Sequence, residues 1–153
     1  MAIATTLIVG LAAAFASIGL GGGLYEMCVV DPAWPRRLDI IQPERGGVSR
    51  RAFWIPTHLT FEPALIASLV IAWPLAEARK WLFLALASHA VMRIWSAFDF
   101  IPKALAFERA DAARVGETTA RNWTTRSRLR LPLDVVTSGA MLAAFAATSR
   151  TSI

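Results

Sequence analysis

Charge is what this sequence has least of. Of 153 residues, 18% are charged and 56% are hydrophobic, whereas soluble domains carry about a quarter charged residues. Residues 1–25 contain no Asp, Glu, Lys or Arg at all. A single cysteine, Cys28, excludes an internal disulfide framework and a redox thiol pair. The only histidines are His58 and His89, and no Glu-x-x-His motif occurs. That excludes the paired-motif pattern of a bundle-type di-iron centre.

What is present in abundance is long apolar runs. A helix needs about 20 apolar residues to span the hydrocarbon layer. Four stretches qualify, at 3–25, 55–76, 80–101 and 131–149. They predict an all-α fold: an integral membrane four-helix bundle, with residues 1–153 forming one membrane domain. The first run could be mistaken for a signal peptide, because Ala14, Phe15 and Ala16 look like a small-residue cleavage site. No basic residue precedes it and the run continues beyond Ala16, so an uncleaved helix is the better reading.

The basic residues give the topology. Twelve lie in the connections between helices 1 and 2 and between helices 3 and 4, and Arg79, Lys80 and Arg150 lie on the other side. Lys and Arg accumulate in cytoplasmic loops. The long loops are therefore expected in the cytoplasm and both termini outside, in a bacterial-type inner membrane. The basic loops would also lie against anionic headgroups. The lipid bilayer, not nucleic acid, is the expected macromolecular partner, and a homo-oligomer is compatible with the pattern.

Gly19, Gly21, Gly22 and Gly23 crowd into "GLGGG". A dinucleotide fingerprint requires a preceding strand and a glycine where Leu24 stands, so a phosphate loop is excluded by context. Ala12, Ala16, Gly19 and Gly23 instead share one helical face. Small residues at that spacing let helix backbones approach closely.

Ionisable groups inside a membrane are costly and each is a functional candidate. Glu26 ends helix 1, beside Tyr25. Trp54, His58 and Glu62 fall early in helix 2. His89, Arg93 and Ser96 fall late in helix 3. Arg130 begins helix 4. In an antiparallel bundle all of these lie in the loop-side half. His58 and Glu62 are four apart and share a face, as do His89 and Arg93. Glu26 sits at a helix C-terminus, where the dipole disfavours it, so Arg93 or Arg130 is its expected partner. Arg130–Asp134 and Asp99–Lys103 are expected as structural ion pairs.

These residues predict a polar pocket for acid–base chemistry. The expected catalytic set is His58, Glu62, Glu26 and Arg93. Tyr25, Trp54, His89, Ser96 and Arg130 are the expected substrate-binding set. Neither cofactor nor metal is expected, with a metal or haem on the Glu26, His58, Glu62 and His89 donors as the minor alternative. The loop at 31–53 contains Pro32, Pro35 and Pro43 and cannot be one continuous helix. Residues 103–129 are expected to lie as a helix on the membrane surface, with Leu105, Phe107 and Trp123 inward. Five tryptophans fall near helix ends or in loops. Trp95 falls within helix 3 and is a candidate for lining an aromatic pocket.

Four short motifs carry a resemblance: "LYE" at 24–26, "FWIPTH" at 53–58, "DFIPK" at 99–103 and "NWTTRSRLR" at 122–130. On these the chain resembles the anthrone oxygenase-like family of small four-helix membrane proteins. The resemblance implies a cofactor-independent oxygenase that converts an anthrone to an anthraquinone. It also implies Glu26, His58 and Arg130 as site residues. The expected function is thus a membrane-embedded oxygenase-like enzyme acting on a lipophilic, polycyclic aromatic small molecule. Two alternatives remain open. One is a structural or accessory subunit that uses the Ala12–Gly23 face against another protein. The other is a glutathione-dependent trimeric membrane enzyme.

Overall fold

The computed structural model describes residues 2–111 and 114–150. Its regular structure is helical, with no strand among the described residues. Among the described residues six α-helices follow one another: α1 (Ala2–Tyr25), α2 (Arg50–Ile71), α3 (Ala76–Trp95), α4 (Ile101–Arg109), α5 (Glu117–Ser127) and α6 (Leu131–Arg150). A π-helical turn, Glu26–Val30, prolongs α1. A second, Ser96–Phe100, fuses α3 to α4. A 3-10 turn, Arg128–Arg130, fuses α5 to α6. Four rods result, at Ile3–Val30, Arg50–Ile71, Ala76–Arg109 and Glu117–Arg150, each long and apolar enough to cross a bilayer. The chain is an all-α four-helix bundle and an integral membrane protein.

The rods overrun the lengths expected from hydropathy. Two of them have 34 residues, about 50 Å at 1.5 Å per residue, against a hydrocarbon layer of about 30 Å. The surface helix expected at 103–129 is therefore replaced by continuations of the third and fourth spans. The residues there are too polar to register as membrane, yet Ala, Leu, Glu and Arg are good helix formers. Pro102 falls in the first turn of α4, where no backbone donor is needed.

At the end that holds the chain termini, the bundle is packed by small side chains. Val9, Ala12, Ala13 and Ala16 of α1 meet Ala140, Met141, Ala144 and Ala147 of α6 in one buried cluster. The Ser138 hydroxyl donates to the Ala16 carbonyl at 2.9 Å, and Ser88 donates to the Leu133 carbonyl at 2.9 Å. Such close approach and interhelical bonding hold helices together where lipid is as apolar as the core. Ile3, Leu7, Leu59, Ile66 and Val70 point outward, as lipid-facing residues should. The Ala12–Gly23 face is thus used within the molecule. Ala12 and Ala16 are buried, Gly19 approaches Thr57, and Gly23 approaches Leu131 and Asp134.

The opposite end carries a second core. Trp34, Ile41, Phe100, Phe107 and Trp123 are buried together. Trp34 meets Phe107 at 5.3 Å and Trp123 edge-on at 5.7 Å between ring centroids. The proline-rich 31–49 segment is therefore a folded cap. Buried Gln42 donates to the carbonyls of Phe107 (3.1 Å) and Ala110 (2.8 Å), closing the C-terminal end of α4. The chain turns back through Gly46, whose φ is 84°, and Gly47, where a β-carbon would fall 2.1 Å from the Asp39 carbonyl oxygen. Only glycine fits that pair.

Candidate functional site

The rods pack α2 on α1, α1 on α6 and α6 on α3, while α2 and α3 touch far less than any of these three pairs. Space is left between α2 and α3 beneath the aromatic cap. It forms a cavity of about 460 Å³, within the range of small-molecule sites. All four rods contribute to its wall, and both π-helical turns do so. In each turn an amide bonds five residues back, Asp31 to the Glu26 carbonyl (2.8 Å) and Ile101 to the Ser96 carbonyl. Such turns shift side-chain register and recur at functional sites. Here they bring Glu26 and Ser96 into the wall.

Glu62 is the centre of the polar cluster. Its Oε1 lies 2.8 Å from Arg93 Nε, 3.3 Å from His89 Nε2 and 3.9 Å from His58 Nδ1. The His58 ring is stacked on Trp54 at 5.6 Å. Its Nδ1 is buried without a hydrogen-bond partner. His89 stands edge-on to Phe61 at 4.8 Å, behind Glu62. Across the cavity, Arg130 lies over the Phe100 ring at 4.3 Å, and its Nη1 donates to Ser96 Oγ at 2.8 Å. Of the nine residues singled out from the sequence, Glu26, Trp54, His58, Glu62, Arg93, Ser96 and Arg130 line this one cavity. His89 reaches it through Glu62.

Several pairings differ from expectation. Arg93 does not serve Glu26, because the Glu62 carboxylate one helix away takes it. Glu26 accepts the indole N–H of Trp54 at 2.9 Å instead. Arg130 and Asp134 form no ion pair within 4.0 Å among the described residues, since Ser96 and the Phe100 face hold the guanidinium. Asp99 does pair with Lys103, and Arg126 joins them. Tyr25 is not a wall residue. It is 59% exposed, because one step along a helix turns a side chain about 100° away from Glu26. Trp95 packs on Phe100 in the cap at 5.4 Å and does not line the cavity.

The cavity also holds residues that sequence reasoning passed over. Asp31, Arg50, Glu108 and Trp123 line its loop end. Asp31 is buried and accepts the Trp34 indole N–H at 3.1 Å. Burial pushes its carboxyl up to about 6, against the opposing pull of the Trp34 bond; Glu26 adds to the rise, and Arg50 and Arg128 oppose it. A carboxylate just beyond the C-terminus of a span, beside a proline, was the available signal. The sequence places Trp123 inward without marking it as a site residue, and nothing local marks Arg50 or Glu108.

His58, Glu62 and His89 present donor atoms within 4.8 Å of one another, the ligand chemistry that first-row divalent ions use. The Glu62 oxygen in question is already ion-paired with Arg93 at 2.8 Å, and that fixed positive charge opposes a second cation beside it.

Fold and site together define a polytopic helical membrane protein with a cavity at its loop end whose largely apolar wall carries charged groups from all four rods. Comparison with family models, curated proteins and solved structures finds no match.

Proposed function

We propose that this protein is a membrane-embedded, oxygenase-like enzyme acting on a lipophilic polycyclic aromatic molecule by acid–base chemistry. The observation that carries the reading is the convergence of His58, Glu62, Glu26, Arg93 and Arg130, from all four rods, on one cavity of about 460 Å³. The resemblance to anthrone oxygenase-like proteins supplies the substrate class. The reading puts the loop end and its twelve basic loop residues in the cytoplasm.

The roles follow from the contacts. His58, with a buried and unpartnered ring nitrogen, takes a proton from the activated carbon of an anthrone. Glu62 faces that ring nitrogen at 3.9 Å. Arg93 and His89 hold Glu62 in place. Arg130 has no carboxylate within ion-pair distance among the described residues, so its charge is directed at the oxyanion that develops on the substrate carbonyl. The resulting electron-rich carbanion reacts with dioxygen. One oxygen atom becomes the new quinone carbonyl and the other leaves as water, so that anthrone and dioxygen give anthraquinone and water.

The accessory-subunit reading fares less well. It requires a filled bundle and a free small-residue face, whereas Ala12 and Ala16 are buried inside the molecule and the cavity is open. Oxygen uptake by detergent-purified protein supplied with anthrone tests the proposal. His58→Ala should slow uptake by about a hundredfold or more, and Tyr25→Phe should leave it unchanged. Uptake by the wild type no faster than spontaneous oxidation of anthrone would sink the reading.

A further inference from the structure

The seam between α2 and α3 is loosely closed, and residues along it are cavity wall and outer surface at once. Arg51, Ile55, Leu59 and Glu62 succeed one another along one face of α2, and all four line the cavity. Ile55 is exposed and Leu59 is 68% exposed, too much for a side chain enclosed in a wall. Ile101, from α4 on the facing rod, also lines the cavity and is exposed. Such residues mark the rim of an opening. Glu62 and Arg93 bridge the two helices at its deep end, 2.8 Å apart, with side chains 40% and 35% exposed.

The opening lies at hydrocarbon depth. Leu59 stands about 13 Å along α2 from Arg50, within a layer about 30 Å thick. Its three apolar rim residues offer water no hydrogen bond. The ion pair at its deep end is costly to leave against acyl chains, and gains from a polar group brought in beside it. The loop end is covered by contrast. Trp34, Phe107 and Trp123 are buried in the cap, and the Arg50 and Glu108 side chains beneath them are almost wholly buried.

We infer that the cavity is entered sideways from the bilayer, through a slot between α2 and α3 rimmed by Ile55, Leu59 and Ile101, and that its ligand is a molecule dissolved in the loop-side leaflet. This rests on the proposed function only for the lipophilic character of the ligand, and adds the route by which it arrives. The entering molecule slides between the rods with its apolar body against the rim and its polar group towards Glu62 and Arg93. A charged, water-soluble molecule would have to shed its hydration to cross the same rim. The slot thus selects lipid-soluble ligands before any contact with His58.

The test uses acyl chains as the probe and needs no turnover. The protein would be reconstituted into vesicles of phosphatidylcholine with brominated acyl chains, because bromine quenches tryptophan only at close range. Trp54 lines the cavity, and its share of the emission is the difference between the wild type and Trp54→Phe. That share should fall in brominated vesicles and persist when iodide is added to the water. Leu59→Phe combined with Ile101→Phe fills the rim and should restore the emission, whereas Leu59→Ala widens the slot and should deepen the loss. Ile66→Phe, at an exposed position of α2 outside the cavity wall, should change nothing. Loss of the emission to iodide alone would overturn the slot in favour of an aqueous entrance. Quenching by neither agent would overturn it in favour of a closed cavity. Quenching by bromine that the rim variants leave unaltered would also overturn it, since Trp54 would then meet lipid from outside. Oxygen uptake is a separate readout. Rim-dependent quenching in a protein that fails to oxidise anthrone sustains the slot and sinks the oxygenase, and an active oxygenase quenched by iodide alone does the reverse.

Discussion

The two ends of this bundle are held together by opposite means. At the terminal end, α1, α3 and α6 meet through alanines, valine and leucine, with serine hydroxyls bonded across to backbone carbonyls. At the loop end, five aromatic or large aliphatic side chains from three distant segments make a cap over a cavity lined with arginines and carboxylates. Lipid can solvate the outside of the first region but not the inside of the second. The terminal end is therefore dense and close-fitting, while the loop end keeps a space open by bridging over it. A membrane protein that needs an internal polar site can keep its own helices apart there only if something else, here the Trp34–Phe107–Trp123 cluster, fixes their ends.

The sharpest way to break that division is to remove the cap's centre. Trp34 is fully buried and accepts the Arg50 guanidinium against its face at 6.0 Å. Trp34→Ala should destabilise the protein by about 3–5 kcal/mol, read as a lower thermal midpoint in detergent. Hydrogen exchange should rise across 31–49 and 103–127 while Val9–Ala16 and Ala140–Ala147 stay protected. Uniform loosening of both ends would show that they are one cooperative unit.

Most of the terminal end could be read from the sequence, and much of the loop end could not. The small face of Ala12, Ala16, Gly19 and Gly23 is a local periodicity, and local periodicity dictated its packing. His58 and Glu62 share a face for the same reason. By contrast, the Gln42 bond to the Phe107 carbonyl spans 65 residues, and no spacing rule reports a contact of that range. Arg93 had two carboxylates within plausible reach, Glu26 and Glu62. Which one it took depended on the rotation of α2 against α3, and that angle is not encoded in either helix alone. The continuation of the spans into α4 and α5 was hidden because hydropathy marks where lipid ends, not where a helix ends.

A pH titration sharpens the comparison next, because the loop end buries a titratable carboxyl whereas Glu77, at the terminal end, is exposed. Asp31, flanked by Glu26, Arg50 and Arg128, has a folded-state carboxyl raised to about 6 from an ordinary 3.8. A raised value means that the folded state prefers the protonated form. Its contribution to stability is complete below about 4, is lost as pH rises towards 6, and changes little above that. Asp31→Asn mimics the protonated form and keeps an acceptor for the Trp34 indole. At pH 8 the variant should be more stable than the wild type by on the order of 2–3 kcal/mol, and the two should converge near pH 4. A stability difference independent of pH would mean that Asp31 is ionised in its buried place and satisfied by the arginines.

The smallest effect expected is also the most direct comparison of the two ends, because it places the same substitution in both. Ala144 is fully buried where α6 meets its neighbours, and Ala104 lines the cavity from α4. Adding three carbons to a close-packed contact forces off-rotamer side chains or a helix displacement, at about 1–3 kcal/mol. Ala144→Leu should lower the thermal midpoint accordingly. Ala104→Leu projects into open volume and should leave it unchanged or slightly raised, since filling a void adds contacts without strain. The catalytic consequences should be reversed. Ala144→Leu should retain oxygen uptake with anthrone once folded, and Ala104→Leu should depress it by occupying space the substrate needs. If Ala104→Leu proves as destabilising as Ala144→Leu, the loop end is as tightly filled as the terminal end, and the division between a dense half and an open half fails.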